Sequence, residues 1–262
     1  YVKFGKNEQG QDMYWRIIRI NGDGSIRLIY DGTSAHANGE VARDDNYRSI
    51  GDSRYNSTYN DNAYVGYMYG TPGSSSYAET HANTNDSTIK SYLDDWYENV
   101  FSGTPYESYI VDNLFCNDRS LLHDTAQDYA GEQYSNLGYG KERTAYRWYG
   151  DPLAASMGED YANLLTYPNL QCAEQNDRFT VSDEVIGNGA LTYPIGLITT
   201  DEVVLAGGFG AENYDYYLYT GDYYWTMSPV NFNGGFAYVR SVNSGGYGNH
   251  YGIVNLLYGV RP

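Results

Sequence analysis

A chain of 262 residues can bury one large core or two modest ones, and an aromatic content of 16%, carried mostly by 32 tyrosines, argues against disorder. Its 16 basic and 33 acidic residues leave a formal charge of −17, the wrong sign for nucleic acid and for docking on anionic lipid. No apolar run approaches the roughly 18 residues of a membrane-crossing helix, and no leader peptide is visible. The chain opens at Tyr1 in strand-like sequence and reads as a piece of a longer or processed protein.

In chain order, the first element is a hairpin. Met13 to Ile20 is β-branched and aromatic, Asn21-Gly22-Asp23-Gly24 supplies the turn, and Ser25 to Tyr30 returns. Residues 31–85 are rich in Gly, Ser, Asn, Asp and Thr and read as a long surface excursion with one short strand at Ala63 to Tyr69. A helix follows: Asn85-Asp86-Ser87 offers N-caps, and Ile89, Leu93, Trp96 and Val100 recur at helical spacing. Lys90, Asp94, Asp95 and Glu98 fall on its other faces, and Gly103 and Pro105 end it. Residues 124–160 read as loop, with a weak helix near Pro152 to Leu165. A second short helix is expected at Asp201 to Ala206, opened by a Thr199/Glu202 capping box and closed by Gly207-Gly208. From Tyr216 to Pro262 short strands alternate with Gly/Asn turns. Two helices in a strand- and loop-rich chain give an α+β fold, read as a single domain over 1–262.

Cys116 and Cys172 lack the C-x-x-C spacing and histidine company of a zinc site, so a disulfide in an oxidising compartment is expected. Cys116-Asn117-Asp118-Arg119 has an echo after Cys172 in Asn176-Asp177-Arg178, and an Asp–Arg pair beside each cysteine reads as a structural ion pair. Hydrolase-elbow, zinc-protease and phosphate-loop motifs are absent from the sequence. Gly207-Gly208-Phe209-Gly210 follows a helix instead of opening one and reads as a cap. His36, His81, His123 and His250 sit in polar surroundings and read as solvated. Asp44-Asp45, Asn60-Asp61-Asn62, Asn85-Asp86 and Asn117-Asp118 carry the oxygen ligands that Ca²⁺ takes. None forms an EF-hand loop and turn formation accounts for such clusters, so no cofactor is expected and a structural Ca²⁺ is the alternative.

The informative stretch is the tail. Residues 229–262 are just over half Tyr, Ser, Gly or Asn, with Arg240 and Arg261 the fixed charges. That mixture is the vocabulary of recognition loops: rings for contact area, small polar groups for adaptable hydrogen bonds. Trp225-x-x-Ser228-Pro229, then this stretch, then Gly259-Val260-Arg261-Pro262, resembles the C-terminal signature of bacterial surface and pilin-associated proteins. That family is allied to the C-type-lectin-like fold of formylglycine-generating enzymes and of the variable proteins of diversity-generating retroelements. Tyr14 to Ile20, Gly24 to Tyr30 and Gly196 to Val203 are similar to such proteins as well. The resemblance implies a C-type-lectin-like fold whose segment 223–262 presents interchangeable ligand-binding residues: Asn231, Asn233, Tyr238, Asn243, Tyr247, Asn249, His250, Tyr251 and Asn255. Trp225, Pro229 and Arg261 would be framework, with Trp225 buried and Arg261 holding carbonyls or a carboxylate. The calcium-lectin motifs and the active-site cysteine pair of formylglycine-generating enzymes have no counterpart here. The expectation is a noncatalytic, extracellular module binding a protein or glycan on a host or bacterial surface. A self-associating pilus or filament subunit and, after it, a glycan-active enzyme with a carboxylate pair are the alternatives.

Overall fold

The computed structural model describes residues 1–42, 47–119, 168, 170–208, 212–232, 234–248 and 250–262. Strands β1 (Val2–Lys6), β2 (Asp12–Ile20) and β3 (Ile26–Tyr30) make an antiparallel sheet in that order. The β2–β3 turn is held as its composition requires: the Asn21 N–H donates to the Ser25 carbonyl at 2.8 Å, and Asp23 Oδ1 accepts from the Ser25 N–H at 2.9 Å. Gly24 takes φ +88°, a conformation that a side chain would resist.

Two two-residue ladders pair β5 (Met68–Tyr69) with β6 (Asn85–Asp86) and β7 (Phe115–Cys116) with β8 (Arg178–Phe179). The main sheet has five strands: β4 (Asp52–Ser53), β9 (Tyr224–Phe232), β10 (Ala237–Val242), β11 (His250–Ile253) and β12 (Tyr258–Gly259), in the order β11-β10-β9-β12-β4. The described helices are α1 (Tyr77–Thr80), α2 (Thr88–Val100) and α3 (Thr200–Leu205), so the fold is α+β.

Helix α2 begins where Ser87 Oγ accepts the Lys90 N–H, and it buries Ile89, Leu93, Tyr97 and Val100. Full burial of a leucine such as Leu93 is worth about 2 kcal/mol. Lys90, although off the apolar stripe, is enclosed. It is fully buried, with Nζ 2.6 Å from Asp94 and 3.2 Å from Asp86, because both partners lie one turn away on the same helix side. Helix α3 has the predicted capping box complete. The second oxygen of Glu202 then reaches Arg27 Nε at 3.0 Å and Arg19 Nη1 at 3.4 Å, tying α3 to the hairpin.

The stretch 31–85 is not a surface excursion. Tyr55, Ala63, Val65 and Tyr67 are fully buried in the main core, beside Trp225, Leu93 and Phe179. Polar composition misled because the polar groups are consumed internally: Asp61 accepts the N–H groups of Ala63 and Gly73 at 2.9 and 2.7 Å. The expected strand over Ala63 to Tyr69 is a 3-10 turn (Asn62–Val65) capped by Asp61, and only its end is β5. The predicted helix near Pro152 to Leu165 and the loop over 124–160 lie outside the described residues.

Cys116 and Cys172 form a disulfide. Closing a loop of 56 positions stabilises the fold by about 4 kcal/mol in the chain-entropy picture. The two Asp–Arg echoes meet crosswise. Arg119 binds Asp177 through Nε at 2.7 Å and Nη2 at 2.6 Å, and both side chains are fully buried. Arg178 instead donates to the carbonyls of Cys172 and Ala173. Beside this pair lies His81, which is fully buried and whose ring nitrogens have no hydrogen-bond partner. His36 is buried as well and contacts Glu40 at 3.2 Å, so neither histidine is solvated as expected, and His123 lies outside the described residues.

The two large sheets are joined at Asp31. Its Oδ1 accepts from Arg261 Nη2 at 2.7 Å, and its Oδ2 accepts from Arg16 Nε at 2.7 Å and from the Tyr1 hydroxyl at 2.5 Å. Arg261 also donates to the carbonyls of Tyr30 and Leu218 at 3.1 and 3.0 Å, and the Tyr30 N–H donates to the Pro262 carbonyl at 2.8 Å.

Replacing Asp31 by Asn leaves two buried guanidiniums without a counter-charge, and should cost about 3–5 kcal/mol in urea unfolding. A loss under about 1 kcal/mol would show that Asp31 does not hold the two sheets together.

Burial, reinforced by the nearby Arg119 cation, depresses the His81 pKa from its ordinary 6.5 to about 2. Below pH 6.5 the unfolded chain binds a proton that the folded chain refuses, so this stabilisation is full above that pH and is lost as pH falls. The His81→Phe variant should therefore gain about 2 kcal/mol relative to the parent between pH 7 and pH 5, read from urea midpoints. Parallel pH profiles for the two proteins would contradict it.

Candidate functional site

The main sheet places the tail residues by strand register. On β10, Tyr238 lies opposite Ile253 of β11 and Asn231 of β9, and Arg240 lies opposite Tyr251. Alternation along a strand then puts Tyr238, Arg240, Tyr251, Ile253 and Asn231 on one face. Val239, Ser241, Gly252 and His250 fall on the other, toward Trp225.

The first face carries a row of rings. Tyr251 meets Tyr238 edge-on at a centroid distance of 5.5 Å, and Tyr238 is 6.4 Å from Phe236. Phe236 stacks on Tyr59 at 5.5 Å. Tyr59 arrives from a distant part of the chain because its carbonyl accepts the Ala237 N–H at 2.7 Å, at the head of β10. Tyr59 is 36% exposed, Phe236 40% and Tyr251 42%, so the row is open to solvent although its members touch. The buried Arg240 guanidinium lies 6.0 Å from the Tyr251 ring centre, a cation–π distance that steadies the outer ring.

The nine residues expected to bind ligand are thus not one surface. Tyr238 and Tyr251 are in the row, and Asn231 is beside it, half-buried, with an Oδ1 that has no partner. His250 pairs with Ser241 in the register, and its ring stays 6.4 Å from that of Tyr251. Its Nδ1 is 2.8 Å from Ser241 Oγ and its ring meets Tyr223 edge-on at 5.1 Å, and burial, then Arg240, lowers its pKa. Asn243 holds a turn, its Oδ1 accepting the N–H groups of Gly245 and Tyr247 at 2.9 and 3.0 Å. Tyr247 is half-buried at the end of that turn. Asn255 lies past β11, where its carbonyl accepts Arg54 Nε at 3.0 Å. Asn233 and Asn249 lie outside the described residues.

Three members of the site were not singled out from the sequence: Tyr59, Phe236 and Arg240. Phe236 and Arg240 could have been found, since they flank Tyr238 at i±2 in a strand pattern and must share its face. Tyr59 had no local signal.

The residues around the face are fixed firmly. Trp225 is fully buried, donates from Nε1 to the Ser53 carbonyl at 2.9 Å and packs on Tyr258 at 4.6 Å. Pro229 is buried within β9, where the register to β10 shifts on either side of its partner Val239. Such an irregularity is how an inner strand accommodates a residue without an N–H. Gly252 leaves room for this packing, since a Cβ there would come within 2.8 Å of the Tyr258 ring.

Among the described residues, no group of three or more His, Cys, Asp or Glu side chains is arranged to hold a metal ion. Of the Asx clusters expected to suit Ca²⁺, Asp44-Asp45 lies outside the described residues, and the amides of Asn117 and Asn85 are bonded to the chain. Asn117 Oδ1 accepts the Tyr67 N–H at 2.9 Å and its Nδ2 donates to the Met227 carbonyl at 2.7 Å. Asn85 Nδ2 donates to the Gly70 carbonyl at 2.8 Å.

Comparison with protein-family models, with curated proteins and with solved structures finds no match to this chain.

Asn243→Ala should lower stability by about 1 kcal/mol, because two backbone donors lose their acceptor, while leaving any ligand affinity of the ring face unchanged. A selective loss of binding at unchanged stability would return Asn243 to the binding set.

Proposed function

We propose that this chain is a noncatalytic recognition module, working outside the cell, that engages a protein or glycan surface through the aromatic row Tyr59–Phe236–Tyr238–Tyr251. The observation that carries the reading is that row: four rings in continuous contact, three of them more than a third exposed. Rings held in place by neighbours lose little conformational freedom on binding, and an aromatic anchor at an interface centre is worth about 2 kcal/mol or more. Steadied by Arg240 beside Tyr251 and by the pairing of β10 with β9, the row is a preorganised contact surface.

The surface setting is supported by the disulfide, which is compatible with an oxidising exterior. No described helix is long and apolar enough to cross a membrane. The C-type-lectin-like assignment belongs to this same proposal. It draws on the Trp225-x-x-Ser228-Pro229 and Gly259-Val260-Arg261-Pro262 frames and on the way the final strands sit beside the N-terminal hairpin.

Screening the labelled protein against glycan and protein arrays should yield a ligand in one of the two classes. Tyr251→Ala and Phe236→Ala should each weaken its binding at least about tenfold, with stability changed by less than about 1 kcal/mol. Variants that bind like the parent would defeat the reading. Concentration-dependent filaments that those substitutions abolish would replace it with self-assembly.

A further inference from the structure

Away from the aromatic row, a cavity of about 700 Å³ lies between the β1–β2–β3 sheet, α2 and the loops that carry residues 106–113 and 194–196. Its apolar wall is formed by Phe4, Trp15, Trp96, Phe101, Tyr106 and Ile195. These rings brace one another: Phe4 stacks on Phe101 at 5.7 Å, Tyr106 meets Phe4 edge-on at 5.5 Å, and Trp96 meets Phe101 edge-on at 5.6 Å. The wall is therefore stiff, as a small-molecule site requires. The volume lies inside the range of such sites, about 300–1,000 Å³.

The chemistry of the remaining lining narrows the ligand. Arg27 is the one charged side chain among the lining residues, and it is already committed. Its Nε meets Glu202 at 3.0 Å, its two terminal nitrogens donate to the carbonyls of Leu114 and Leu197 at 2.9 and 3.2 Å, and its plane covers the Phe115 ring at 4.3 Å. An anionic ligand would have to compete with Glu202 for it. No Asp or Glu side chain lines the wall, so a cation would meet no side-chain counter-charge. The indole N–H of Trp15 is held by the Phe4 carbonyl at 2.7 Å. Polar capacity gathers at one end, where Asn21 and Asn113 both donate to Ser25 Oγ, at 2.9 and 3.3 Å; that hydroxyl is saturated, since it also donates to Asp23 at 2.7 Å, so the remaining valences are those of the two amides.

We propose that this cavity binds an uncharged small molecule. Its apolar body, ring-bearing or aliphatic, would seat on Phe4, Trp15, Trp96 and Phe101, with a neutral hydrogen-bonding end at the amides of Asn21 and Asn113. The site is separate from the aromatic row, and it does not depend on the recognition reading.

The test uses N-phenyl-1-naphthylamine, a neutral probe that brightens in apolar surroundings, excited directly. The intact chain should take up one probe per molecule, saturably. Decanol should displace it at a concentration at least tenfold below that needed of decanoate or of decyltrimethylammonium, all used below their micelle concentrations. Val111 is 54% exposed and lines the cavity, so Val111→Trp should narrow it and weaken uptake at least tenfold without unfolding the chain. Val185 is 88% exposed and absent from the lining, so Val185→Trp should bind as the parent does. Four results would overturn the proposal: no saturable uptake, uptake indifferent to Val111→Trp, displacement led by a charged competitor, or sedimentation showing that a second copy of the chain excludes the probe.

Discussion

One buried carboxylate holds the two large sheets together. Asp31 ends the N-terminal hairpin and receives Arg16 from the neighbouring strand, Tyr1 from the start of the chain and Arg261 from its other end. A buried ion pair is a poor source of net stability, because desolvation of both partners cancels most of the attraction. It is an effective source of uniqueness, since any docking that separates the partners leaves a bare charge in the interior. Arg261 spends its other donors on Tyr30 and Leu218, so the same residue also sets where the final strand lies. The face built on β9, β10 and β11 inherits its position from that constraint.

The same device recurs wherever a long connection must be fixed. Arg119 and Asp177 join the segments on either side of the disulfide, and Glu202 joins α3 to the hairpin while closing its own capping box. In each case the carboxylate accepts backbone or guanidinium hydrogen bonds on both oxygens, which is what makes a buried charge tolerable. The acidic balance of the chain thus coexists with cations that share buried carboxylates, Asp31 serving Arg16 and Arg261 and Glu202 serving Arg19 and Arg27.

The sequence was legible where the signal is local. The β2–β3 hairpin and α3 follow from turn residues and a capping box, and α2 from apolar spacing, within a residue or two of their limits. It was opaque where partners lie far apart. Tyr55 and Tyr67 look like loop tyrosines, yet they are buried against Trp225 and Phe179, which the chain reaches more than a hundred positions later. His81 sits in polar sequence but is enclosed by Tyr77 and the Arg119 region. In the tail, composition treated all Tyr and Asn residues alike. Register separates them: Tyr238 and Tyr251 face out together, His250 is held by Ser241, and Asn243 is consumed by a turn. Tyr59 joins the row only through a backbone bond to Ala237.

The account rests on the claim that a set of touching rings remains at the surface of a rigid sheet. Hydroxyl-radical footprinting of the native protein, read by mass spectrometry residue by residue, tests it directly. Tyr59, Phe236 and Tyr251 should be oxidised readily while Tyr224 and Trp225, from the same sheet, are spared. Protection of the three row members to the level of Trp225, or equal oxidation of all five, would contradict it.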